Sequence, residues 1–194
     1  MTSGGVVLLA GFALGLTLAV PPGPMNGLIA AQTARGGLSA GILTGAGAMT
    51  ADLILGGLVL GLGAAAVLAP YSREIDLVGA AVLVLFAIRL FRRRQQSLTT
   101  PAGKGRAYLA GLALGIGNPF QVLWWLTAGL ALVGSGGALL LVGLFAAITL
   151  WILTFPLGLN GILRRHPRAG EGLAMASALL LGAFAVVLLY LAFA

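Results

Sequence analysis

Apolar residues in this chain come in long unbroken runs, without the alternation of polar and apolar positions that marks a barrel strand. Six stretches stand out, at 4–34, 38–69, 77–91, 107–133, 138–163 and 172–194. A helix crossing the hydrocarbon of a bilayer needs about 20 mostly apolar residues. Five stretches meet that length. The third, about fifteen residues or roughly 22 Å at helical rise, needs flanking residues or local thinning to span. The pattern predicts an all-α membrane protein with six transmembrane helices. The first stretch has no positive segment ahead of it, and its apolar character resumes after a proline cluster. It is therefore expected to be a span and not a cleaved signal peptide.

Composition agrees with that reading. Of 194 residues 60% are hydrophobic, 31 more are glycine and only 8% are charged, and the mean hydropathy is +1.09. Soluble domains carry about 25% charged residues, so this chain has too few to build a polar shell. There are no cysteines, one histidine and four acids, which argues against thiol chemistry and against a caged metal. No metal site or cofactor is expected. The net charge of +7 falls in short clusters between apolar runs instead of along one face, so nucleic acid is not an expected partner. No nucleophile–base pair lies within the spans, and the breaks are too short for a catalytic domain, so no enzyme and no catalytic residue is expected.

The basic clusters orient the bundle. Arg35 lies in the first break between spans. Arg92, Arg93, Arg94, Lys104 and Arg106 lie in the third, with Arg89 at its edge, and Arg164, Arg165 and Arg168 lie in the fifth. Only Arg73 falls in an even-numbered break, beside Glu74 and Asp76. Odd-numbered breaks share one face of a six-span protein. By the positive-inside rule that face is cytoplasmic, which leaves both termini outside a cytoplasmic membrane. The Arg92–Arg94 run reads as a topogenic and headgroup-contacting cluster.

Two spans are interrupted by proline, at Pro21-Pro22-Gly23-Pro24-Met25-Asn26 and at Gly117-Asn118-Pro119-Phe120. Pro24 and Pro119 stand 95 residues apart, and the same shift places the second span on the fifth and the third on the sixth. The chain thus reads as two three-span halves, 1–98 and 99–194, within one transmembrane domain. Three is odd, so the halves enter the membrane in opposite directions, as an inverted repeat. Broken spans at matching positions of two such halves point to a transporter's central site.

Each proline removes an amide donor and clashes with the carbonyl four residues earlier. The first cluster frees the carbonyls of Thr17, Leu18 and Val20, and Pro119 frees that of Gly115. Backbone of that kind in a membrane must be buried in protein or line a wet cavity. Helices restarting after Pro24 and after Pro119 carry unpaired amides at the positive end of the dipole, suited to a carboxylate. The freed carbonyls suit an ammonium. Pro22, Gly23, Pro24, Met25, Asn26, Gly45, Asn118, Pro119 and Gln121 are the candidate substrate-binding positions, for an amino acid or similar zwitterion. Asn26, Asn118 and Gln121 either contact substrate or satisfy the freed backbone.

Asp52 is the one acid inside a span, where insertion costs about 2.5–3.5 kcal/mol and usually signals a task. It is a candidate for proton or cation coupling or for pairing with a substrate ammonium. The structural alternative is a hydrogen-bonded aspartate fixing helix register against Thr50, Asn26 or Asn118. Trp124, Trp125 and Trp151 read as packing or interfacial residues, and His166 as a solvated loop residue. The pairs Gly37–Gly41–Gly45, Gly57–Gly61 and Gly111–Gly115 read as close helix-packing faces.

Pro22-Gly23-Pro24, followed by Arg35-Gly36-Gly37, Ala40-Gly41, Gly45 and Asp52, resembles the LysE/RhtB family of amino-acid exporters. So do Gly79-Ala80-Ala81 leading to Ile88-Arg89, and Gly111 followed by Asn118-Pro119. The resemblance runs in order along essentially the whole chain. It implies a secondary exporter of amino acids or related small metabolites, driven by a proton or ion gradient through alternating access. The same superfamily includes exporters of divalent or heavy-metal cations, which is the alternative, together with a passive channel or scaffold. Val82 stands where the family usually carries tyrosine, and Phe120-Gln121 where lysine often follows Asn-Pro. Expected partners are the substrate, a proton or cation and the bilayer; a homo-oligomer stays open.

Overall fold

The computed structural model describes residues 3–62, 104–126, 130–166 and 169–193, with scattered positions between 71 and 88. Arg73, Asp76, Gly79, Val82, Arg89, Arg92, Arg93, Arg94 and Arg168 lie outside the described residues. Helix α1 runs Ser3–Ala19, α2 Pro24–Leu62, α3 Lys104–Gly117, α4 Pro119–Trp124, α5 Leu130–Arg165 and α6 Ala169–Phe193. Between 71 and 88 the described positions from Glu74 to Ile88 are helical. Lys104 and Arg106, expected in a loop, stand in the first turn of α3.

Two of these helices turn at a glycine. Gly37 in α2 has φ 74° and ψ −170°, and Gly137 in α5 has φ 59° and ψ −153°. Side chains rarely tolerate that backbone, so glycine is required at both. Residues 24–36 are therefore the continuation of α1 beyond its break, and 38–62 are a separate limb. The same division falls at Gly137. The proline breaks repeat at 95 residues, whereas the turn glycines repeat at one hundred. A shift of 95 residues therefore does not carry Gly37 onto Gly137.

Close glycine seams hold the limbs together. A Cβ on Gly11 or Gly15 of α1 would strike the carbonyls of Leu140 and Leu144 in α5, and one on Gly143 of α5 would strike that of Leu8. On the other side of the molecule Gly111 of α3 lies against the carbonyl of Thr44 in α2, Gly115 against Ala51, and Gly47 of α2 against the carbonyl of Tyr108. Gly111 and Gly115 thus play toward α2 the part that Gly11 and Gly15 play toward α5. The packing is reciprocal. Gly41 fits against Thr33 and Pro156, and Gly45 against Ile152, so two of the three glycines in that expected face do pack. Gly57 and Gly61 do not follow the expectation: among the described residues a Cβ there meets nothing.

Two apolar clusters fill the interior. One joins Leu28, Ala31, Ala80, Leu114, Ala178 and Ala185, and the other Leu55, Val59, Trp125, Leu144, Ile148 and Ile152. The outer faces are as apolar as the core: Leu53, Leu109, Leu157 and Val186 are each more than half exposed. Soluble monomers rarely present contiguous apolar patches beyond a few hundred Å²; hydrocarbon accepts such a surface. Two of the described helical runs, Pro24–Gly61 and Gly137–Arg165, are long and apolar enough to cross a bilayer.

The seams generate a paired prediction. Gly111→Ala drives a methyl into the Thr44 carbonyl and should destabilise the protein by about 1–3 kcal/mol, as other overpacked interiors do. Gly57→Ala, with open space around it, should be neutral or gain up to about 1 kcal/mol of helix propensity. Thermal unfolding of both variants in detergent checks the difference; equal midpoints would remove the seam from the account.

Candidate functional site

Helix α1 ends because its chain meets Pro21, Pro22 and Pro24, none of which has an amide hydrogen to continue the ladder. Its last bond of helical type runs from Val20 N to Leu16 O at 3.0 Å. Helix α2 restarts with Pro24 in its first position, and the Gly23 carbonyl accepts the Gly27 amide at 2.9 Å. Four residues, Val20 to Gly23, bridge the two helices.

Asn26 closes this break. Its Nδ2 donates to the carbonyls of Ala19 at 2.8 Å and Pro21 at 2.9 Å, with Val20 farther at 3.4 Å. Its Oδ1 accepts from Trp151 Nε1 at 3.0 Å, and the Trp151 ring stacks on Phe155 with centroids 5.0 Å apart. Of the two roles open to Asn26, satisfying freed backbone is the one its contacts occupy. The carbonyls it meets are not the full set expected from proline geometry: Val20 is among them, while Thr17 and Leu18 are replaced by Ala19 and Pro21.

The second break is shorter. Asn118 alone separates α3 from α4, in extended conformation with φ −90° and ψ 106°, and Pro119 follows in the first helical turn. Asn118 Oδ1 accepts the Phe120 amide at 3.3 Å, and its carbonyl accepts the amides of Gln121 at 3.0 Å and Val122 at 3.1 Å. The unpaired amides expected after Pro119 are therefore already taken, by the asparagine that caps the helix. At the first break, Met25 and Asn26 contribute the early α2 amides for which an α-helix supplies no acceptor of its own.

Asp52 is buried, 4% exposed, on the second limb of α2. Trp125 Nε1 donates to its Oδ1 at 2.8 Å, and Gln121 lines the same cavity beside it. Gln121 Nε2 also reaches the Ala48 carbonyl, at 3.5 Å. None of the partners expected for Asp52 is the one found. Thr50 instead donates to the Ala46 carbonyl and accepts from Tyr108. Of the two roles expected for Trp125, packing is the one it takes, and it adds the bond to the acid. It is 1% exposed, edge-on to Trp124 at 5.3 Å and stacked near Phe145 at 6.3 Å. Space for its ring comes from Gly56, where a Cβ would lie 2.8 Å from the indole. Gly56 is one helical turn beyond Asp52, so a ring laid over the glycine reaches the carboxylate.

These parts meet around one cavity of about 370 Å³, lined by Pro22, Gly23, Pro24, Met25 and Asn26 from the first break and by Asn118 and Gln121 from the second. Gly45 and Asp52 line it from α2, and Trp124, Ile148 and Trp151 complete the wall. Of the candidate positions only Pro119 lies off this wall, fully buried behind it. Thr17, Met49, Trp124 and Trp151 belong to the wall without having been singled out as ligand contacts. His166 is exposed at the end of α5, as expected. Among the described residues no group of three His, Cys, Asp or Glu side chains comes together.

A family model describing the LysE type translocator matches residues 16–192. No curated protein and no solved structure matches the chain. That match spans both helix breaks, Asp52 and nearly all of the chain, and the protein accordingly belongs to the LysE type translocator family of multi-pass membrane transport proteins.

Proposed function

We propose that this protein is a secondary exporter of amino acids or related zwitterionic metabolites, working by alternating access without ATP hydrolysis. The observation that carries the reading is the convergence of two broken helices and a buried acid on one cavity. At about 370 Å³ the space is at the small end of small-molecule sites, which run about 300–1,000 Å³. Pro22, Gly23, Pro24, Met25, Asn26, Gly45, Asn118 and Gln121 form its binding wall, with Pro119 acting behind it. Asp52 carries the coupling proton or cation.

The two halves, 1–98 and 99–194, are read as an inverted repeat of three spans each. The support is the reciprocal glycine packing of α1 on α5 and of α3 on α2, together with a break and a positive-φ glycine in each half. Rocking one pair of limbs against the other then exposes the cavity to each side in turn. The basic ends, including exposed Arg106, Arg164 and Arg165, face the cytoplasm and both termini the outside of the cytoplasmic membrane.

Two outcomes test this. In proteoliposomes holding a panel of labelled amino acids, the wild type should accumulate at least one against its gradient when a pH difference is imposed, and Asp52→Asn should not. Full pH-driven accumulation by Asp52→Asn would overturn the coupling role. Asn26→Leu strands the Ala19 and Pro21 carbonyls, each costing about 1–3 kcal/mol when left unmade. It should lower the thermal midpoint and abolish exchange, whereas Asn26→Gln, which keeps the amide, should recover part of both.

A further inference from the structure

The wall of the cavity is chemically lopsided, and the imbalance identifies a substrate. Among the described residues its charge is a single carboxylate; Trp125, which donates to it, and Gln121, which lines the cavity with it, are neutral. Neither supplies the positive charge that a buried anion requires. Among the described residues no lysine, arginine or histidine lines the cavity. The described wall thus leaves Asp52 open to a positive charge that enters: a proton, or an ammonium.

The remaining polar atoms of the wall are largely committed. Asn26 spends its amide on Ala19 and Pro21 and its oxygen on Trp151. Asn118 spends its oxygen on Phe120, Gln121 its amide on Ala48, and Thr17 its hydroxyl on Leu14 at 2.7 Å. What faces a ligand elsewhere is thioether, aromatic and aliphatic: Met25, Met49, Phe120, Trp124, Ile148 and Ile152. The Met25 and Asn26 amides at the start of α2 are left for the α-carboxylate, whereas a second charge on the side chain would meet no counter-charge among the described residues and a hydroxyl would leave water for a mostly apolar wall.

We infer that the cavity selects α-amino acids with apolar side chains, their ammonium seated on Asp52 and their side chain against the methionine and aromatic wall. The ammonium and the proton then take turns on one carboxylate. A site that binds either but not both at once exchanges substrate in one direction for a proton in the other, with no second acid needed. This inference rests on the exporter reading for its transport consequence and on the cavity alone for its selectivity.

The test is competition by unlabelled compounds against counterflow of labelled leucine in proteoliposomes, with thermal stabilisation of the purified protein by the same compounds measured in parallel. The compounds are leucine, methionine, threonine, lysine and glutamate, with isoamylamine (leucine without its carboxylate) and isocaproate (leucine without its amine). Leucine and methionine should compete at least tenfold better than lysine, threonine or glutamate, a ratio that apolar pockets reach against misfit side chains. Isoamylamine should compete and isocaproate should not. Lowering the pH should weaken leucine and isoamylamine together. Asp52→Asn should lose both, and Asp52→Glu should recover part of each, which separates loss of the charge from loss of the fold. Lysine or threonine equal to leucine, or isocaproate equal to isoamylamine, would overturn the assignment while leaving an exporter. If no compound exchanges, the exporter reading fails, and stabilisation decides the selectivity by itself. Stabilisation by leucine and isoamylamine then sustains it, and stabilisation by none of the panel overturns it.

Discussion

Inside hydrocarbon a backbone amide or carbonyl has no water to turn to, and the rest of this structure follows from that constraint. A span broken in mid-membrane exposes several such groups together. Here the repair is made twice with asparagine, in opposite senses. Asn26 donates to the carbonyls that end α1, and Asn118 accepts an amide that begins α4. A primary amide has both capacities and no charge, so each break is closed without bringing a second ion to the site. That economy is why the cavity wall can consist of unwound backbone and still leave Asp52 as its one acid among the described residues.

Much of this was legible in the sequence, for physical reasons that can be named. Proline cannot donate, so Pro21, Pro22, Pro24 and Pro119 announced where helices must stop. A carboxylate in an apolar run is costly, so Asp52 announced a buried polar site. The bond from Trp125 to Asp52 spans 73 residues and left no local trace, since tryptophan in an apolar segment is equally at home in packing. The available signal was Gly56, a missing side chain one turn from the acid and facing a ring. The glycine pairs were a weaker guide. Gly111 and Gly57 have similar sequence surroundings, and only the approach of another backbone distinguishes them. The unequal spacing of the proline breaks and of the turn glycines was likewise hidden, because prolines mark breaks strictly whereas the two turn glycines are lost among 29 others.

The break at Asn118 shows how a pattern can be right in place and wrong in chemistry. Asparagine followed by proline reads correctly as a helix restart, yet the same asparagine consumes the amides that the restart exposes. The two breaks are therefore not equivalent binding elements. The first is four residues long and held by a tryptophan from another helix. The second is one residue long and held by its own cap.

That asymmetry bears on how the proposed exporter would move. Asp52 does not sit on a break; it sits on the continuous limb of α2, clamped to α3 where Gly47 and Gly111 let the two backbones touch. The longer break instead depends on one side-chain bridge, from Trp151 on α5 through Asn26 to α1, and α5 is also the helix on which α1 packs. Close-packed backbone seams are stiff, since any shear drives glycine against carbonyl, while a hydrogen-bonded bridge can be remade after a displacement. The compliant element in such a design is the junction of α1 with α2, bridged by Trp151, and the fixed elements are the α1–α5 and α2–α3 pairs, the latter bearing the charge. A conformational change in this site would then carry the wall past the carboxylate, so that one buried anion meets each side of the membrane without itself leaving its tryptophan.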